Sequence, residues 1–133
     1  MESVIDTNVL VYALIEDSIF HEECLKKLER LRRIFLPVTV LEELVLVLKK
    51  LGIEESIIRR QVKEIVSDPK VVLVNLEKED VESVVSILEK EGLTVKRFND
   101  KLILLAAKKN DLPLYTFDRE LKRECRKLKV KIL

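Results

Sequence analysis

The chain has 133 residues, enough for one domain whose hydrophobic core needs no disulfide or metal staple. Charged residues make up 37% of it at a net charge of +1, which gives no global electrostatic drive toward nucleic acid. No uncharged run approaches the roughly 20 residues of a membrane span, and Asp6 arrives too early for a secretory apolar segment, so a soluble cytoplasmic protein is expected.

Ser3–Asp6 is the first predicted strand and runs straight into a predicted helix at about 8–16 within "VIDTNVLVYAL". Asp6, Thr7 and Asn8 interrupt an otherwise apolar, β-branched run. Asp17 and Ser18 announce a second helix at about 19–32. Strand Ile34–Pro37 follows, then helices at about 38–51, stopped by Gly52, and 54–67, stopped by "SDP". Strand Val71–Asn75 leads to a helix at 78–91, with Glu77, Glu79, Asp80 and Glu82 at its positive end and Gly92 after it. A helix at 99–110, strand Leu114–Phe117, a helix at 118–128 and strand Val130–Leu133 complete the chain. Strands this short and apolar on both faces, as in "VVLV", suit a parallel sheet covered by helices on each side. The expected fold is a three-layer α/β/α sandwich around about five parallel strands. With no repeat, low-complexity segment or linker, residues 1–133 form one expected domain.

Ligands of parallel α/β sheets collect beyond the carboxyl ends of the strands. Asp6 ends the first strand, Asp118 follows the fourth in "LYTFDRE", and Asp100 opens the helix leading to that strand in "RFNDKLILLAA". Helix capping explains any one of them but not all three on one edge. A fourth acid comes from "PVTVLEELVLVLKKLG". At 100° per residue its apolar face is Val40, Leu41, Leu44, Val45, Val47, Leu48 and Leu51. Glu43 falls at the border of that face and Glu42 opposite it, so Glu43 is the expected site residue. Leu46 also points outward, as a surface for a partner helix would.

Four converging carboxylates repel one another unless a cation neutralises them. Oxygen-only ligands suit Mg²⁺ or Mn²⁺, which activate water for phosphodiester hydrolysis, with Asn8 and Thr116 orienting the carboxylates or holding waters.

The motifs "VIDTNVLVYAL", "VTVLEELVLVL", "FNDKLILLAA" and "LYTFDRELK" together resemble the four acidic motifs of the PIN-domain nucleases, in order and spacing over essentially the whole chain. Within that family the chain is most similar to VapC-type toxins of prokaryotic toxin–antitoxin modules. The resemblance implies an active Mg²⁺/Mn²⁺-dependent endoribonuclease with Asp6, Glu43, Asp100 and Asp118 as metal-site acids and Thr116 as the family's hydroxyl residue. It also implies a small antitoxin as partner and a homodimer, which the outward Leu46 would suit.

Arg119–Lys131 carries seven Lys or Arg against two Glu, either a solvated helix face or a basic rim touching RNA phosphates through residues such as Arg119 and Lys122. Arg97, close to Asp100, is a phosphate-contact candidate on the same grounds. His21, the single histidine, reads as a helix-border residue. Cys24 and Cys125 lack metal-ligand spacing and read as packed thiols. No motif of base-stacking aromatics is visible. A phospho-receiver needs an acid where Asn75 stands, and a haloacid-dehalogenase-type phosphatase needs one where Asn8 stands; neither fits. An RNA-processing PIN nuclease without an antitoxin, or a catalytically weak protein-binding PIN domain, remain as alternatives.

Overall fold

β-Branched and aliphatic residues open the chain as β1 (Glu2–Ile5), buried along most of its length. The structure, a computed structural model, describes residues 1–133. Helices α1 (Thr7–Leu14) and α2 (His21–Arg30) lead to β2 (Arg33–Pro37), and α3 (Val38–Lys50) and α4 (Glu55–Ser67) lead to β3 (Val71–Val74). Then come α5 (Lys78–Glu91), a short 3₁₀ turn over Val95–Arg97, α6 (Phe98–Lys109), β4 (Leu114–Tyr115) and α7 (Arg119–Leu128).

The strands form one parallel sheet in the order β3-β2-β1-β4, with Val4 beside Phe35 and Ile5 beside Tyr115. Because the chain builds outward from β1 to β2 and β3 and then returns to lay β4 on the other flank, the winding direction reverses between β1 and β4. That reversal opens a crevice beyond the carboxyl ends of those two strands.

The main core joins Val4, Ile5, Leu36, Val40, Leu44, Ile103, Leu114 and Leu121 with other buried side chains, so helices from both halves of the chain close on the sheet as an α/β/α sandwich. A smaller core of Val84, Leu88 and Leu102 joins α5 to α6. Asp80, among the acids expected at the start of α5, accepts a hydrogen bond from the Glu77 N–H at 2.9 Å. Gly92 ends that helix in the left-handed region at φ +63°, where a side chain is strained.

Two expectations need correction. The sheet has four strands, not five: the predicted Val130–Leu133 strand contributes only a parallel bridge from Ile132 to Leu114. β4 is two residues long, so the segment finds only the Leu114 N–H and carbonyl to pair with, through Lys131 and Leu133. Leu51, placed on the apolar face of α3, lies past the helix end and is more than half exposed. Cys24 and Cys125 are buried free thiols, and His21 starts α2 with Nδ1 donating to the Tyr12 carbonyl at 3.1 Å.

The phase of α3 matters most for the site, and it has a direct check. Leu44 is fully buried and Leu46 is 63% exposed. In denaturant unfolding, Leu44→Ala should cost about 2–5 kcal/mol, whereas Glu42→Ala, on the exposed face of α3, should change stability by less than about 0.5 kcal/mol.

Candidate active site

Asp6 stands where β1 gives way to α1, with extended backbone at φ −81° and ψ 159°. Its N–H continues the sheet by donating to the Tyr115 carbonyl at 3.0 Å. Its side chain is buried, yet it accepts from the Thr7 N–H at 2.7 Å, from Asn8 Nδ2 at 3.0 Å and from Thr116 Oγ1 at 2.6 Å. Asn8 Oδ1 in turn accepts from the Phe117 N–H at 3.2 Å, and Thr116 Oγ1 accepts from the Asp118 N–H at 3.0 Å. The ends of β1 and β4 are thus tied together by side chains as well as by the ladder.

Asp118 caps α7: its Oδ1 accepts from the N–H groups of Glu120 and Leu121 at 2.9 and 3.2 Å, leaving Oδ2 without a protein partner. Glu43 reaches over from α3 and accepts at Oε2 from Thr7 Oγ1 at 2.9 Å and Asn99 Nδ2 at 2.6 Å. Its Oε1 has no protein partner. Asp100, in the first turn of α6, pairs through Oδ2 with Arg97 Nη1 at 3.0 Å.

All four acids line one pocket of about 220 Å³, together with Thr7, Asn8, Val11, Tyr12 and Val47. Glu42 is exposed on the far side of α3, as its helical phase requires. Thr116 and Asn8 both touch Asp6.

Arg97 is placed differently from the free phosphate contact its sequence position invites. Besides Asp100, its guanidinium meets Glu120 at 2.6 Å and Glu124 at 2.8 Å, and its side chain is largely buried. Arg97 therefore holds Asp100 against α7, and a phosphate could reach it only by opening those pairs. Arg119 is exposed beside Asp118. Lys122 lies with its amine 6.0 Å from the centre of the Phe117 ring. Asn99 and Tyr12 carry no sequence signal of their own: Asn99 merely precedes Asp100, and Tyr12 belongs to the opening motif, in which Thr7 already stands out as part of the polar interruption.

Burial raises the pKa of Asp6, against the Thr116 and Thr7 hydrogen bonds, and the charges of Glu43 and Asp118 push it the same way. Asp100 is raised to about 6, chiefly by burial; Arg97 opposes this, and Asp6, Asp118 and Glu43 add to it. The site thus gathers negative charge that its own protein donors only partly offset, which is the electrostatic condition for holding a cation. Its donors are hard oxygens. No three acids stand close enough to ligate one ion unaided. The pocket is large enough to take an ion together with waters, and Mg²⁺ characteristically keeps several waters beside one or two carboxylates. The residues present fit a hydrated divalent ion.

A parallel α/β/α sandwich with acids gathered at its winding reversal defines an acidic-pocket α/β protein. The family model of the PIN domain matches residues 3–127, so the chain belongs to the PIN domain family. Its fold is shared with VapC20 of Mycobacterium tuberculosis, a Sarcin–Ricin loop cleaving toxin, at a TM-score of 0.78 and 13% identity over 93% of this chain and 95% of that one. It is similar to VapBC2 of Rickettsia felis, solved bound to a promoter DNA fragment, at 0.63 and 22% identity over 92% of each chain. A toxin–antitoxin complex of Klebsiella pneumoniae aligns at 0.63 and 20% identity over 87% and 86%. These likenesses establish the fold, and no curated protein matches the chain in sequence.

The raised pKa of Asp100 has a consequence for the metal-free protein. A carboxyl whose folded pKa exceeds its unfolded value is most favourable when protonated, so its contribution falls as pH rises from about 4 through about 6. In EDTA at pH 7.5, Asp100→Asn should stabilise the protein by about 1–2 kcal/mol, allowing for screening and the lost Arg97 pair. The gain should vanish below pH 4. Thermal melts across that pH range provide the check.

Proposed function

We propose that this protein is a Mg²⁺- or Mn²⁺-dependent endoribonuclease, the toxin of a VapBC-type toxin–antitoxin pair. The observation that carries the reading is the convergence of Asp6, Glu43, Asp100 and Asp118 in one pocket from four separate parts of the chain. Membership of the PIN domain family and the likeness in fold to VapC-type toxins support it.

When bound, a divalent ion supplies Lewis acidity toward a phosphoryl oxygen and a water of lowered pKa. The chain's own residues supply the setting. Asp6 is held by three donors and cannot swing. Thr7 and Asn99 fix Glu43 through one oxygen, leaving the other to face ligand or water. Capping α7 fixes Asp118, and Arg97 fixes Asp100. Four oriented carboxylates at the mouth of a parallel sheet can bind a hydrated ion and orient a nucleophilic water beside it. Arg119 and Lys122, which follow Asp118 on α7, are the cations this reading assigns to the phosphates of a bound RNA strand.

Incubated with an RNA pool, the protein should cleave in Mn²⁺ or Mg²⁺ and not in EDTA. Asp6→Asn and Glu43→Gln should each lose at least about a hundredfold in rate, and Glu42→Gln should keep most of it. Equal cleavage in EDTA, or by the Asp6→Asn protein, overturns the metal-site reading.

The VapC-type reading also includes an antitoxin partner and a homodimer. Leu46, outward on α3 and 63% exposed, is the apolar residue that supports such an interface. If it lies in the dimer interface, Leu46→Arg should convert a dimeric elution and sedimentation profile to a monomeric one. An unchanged profile would place the interface elsewhere.

A further inference from the structure

The acids account for only part of the pocket wall; Val11, Tyr12 and Val47 make up an apolar flank. Tyr12 is half-buried, lines the same space as the four carboxylates, and its hydroxyl has no protein partner. Nothing in the proposed hydrolysis uses it.

The ring is held rigidly. Phe20 and Phe117 stack with centres 4.5 Å apart, and Tyr12 lies across both, 5.2 Å from each and steeply inclined to their planes. The main chain of Tyr12 is pinned as well, its carbonyl accepting from Ser18 Oγ at 2.9 Å and His21 Nδ1 at 3.1 Å. Phe117 is tied to the acids, because its N–H donates to the Asn8 side chain that also donates to Asp6. One connected unit therefore runs from the buried carboxylate to the pocket-lining aromatic ring.

Such an arrangement holds a preorganised aromatic ring at the wall of the pocket where the acids would hold a phosphodiester. A ring already fixed loses little conformational entropy on contact. We propose that Tyr12 is the nucleobase-contacting residue of the site, stacking with an unpaired base of the RNA strand whose phosphate lies at the acids. Contact with the ring requires that base to be unpaired, because a base within a helix cannot reach it. This inference rests on the nuclease reading and adds the source of base contact.

The absence of tryptophan provides a clean reporter. In a Glu43→Gln background with Mn²⁺ present, binding of a single-stranded RNA oligomer is compared with that of an abasic oligomer of equal length. Tyr12→Leu should weaken binding of the RNA about tenfold or more and leave the abasic oligomer unchanged, while Tyr12→Phe stays within about twofold. Tyr12→Trp should bind RNA, with its emission quenched by RNA but not by the abasic oligomer. RNA binding unaffected by Tyr12→Leu, equal losses for both oligomers, or unquenched tryptophan in the RNA complex would overturn the assignment of Tyr12 alone. Failure of the Glu43→Gln protein to bind RNA at all, with no cleavage by the wild type, overturns the nuclease reading and this inference with it.

Discussion

One buried carboxylate organises the acidic pocket at the carboxyl ends of the strands. Asp6 closes the β1–β4 ladder through its N–H and ties Thr7, Asn8 and Thr116 to itself through its side chain. A charge in that position is costly unless hydrogen bonds replace its water. Three do, yet burial and the charges of Glu43 and Asp118 still raise its pKa. The same residue therefore continues the pairing of β1 with β4 and carries the electrostatic tension of the pocket. Folding alone gives no reason to gather such tension at one point, which is why it directs attention to ligand binding.

The cations nearby are arranged to orient the acids. Arg97 sits among Asp100, Glu120 and Glu124, and buried Lys101 is shared between Glu91 and Glu124. Paired charges of this kind add little net stability, because desolvation offsets their attraction. They do fix direction. Asp100 is held to α7 through Arg97, while Asp118 caps the same helix, so two of the acids lining the pocket are referenced to one rigid element.

How much of this was legible beforehand depended on the range of the interaction. The phase of α3, which separated Glu43 from Glu42 and left Leu46 outside, follows from side chains three and four residues apart. The acids at the strand ends could be placed on one edge because parallel strands all point the same way. The fifth strand could not be judged: whether Val130–Leu133 pairs depends on how much of β4 is available, and β4 stops after two residues. Arg97 looked like a free cation because its partners Glu120 and Glu124 lie 23 and 27 residues further on.

The sequence by itself determined the alternation of strands and helices, the helix phases and the four acids, because each follows from local period, stop residues and the fixed direction of parallel strands. Only the tertiary structure decided which side chains meet. Asn99 donates to Glu43 across 56 residues, Phe117 to Asn8 across 109, and Tyr12 joins Phe20 and Phe117 in one aromatic cluster. Such meetings depend on crossing helices and on the winding reversal between β1 and β4. No short-range pattern encodes either.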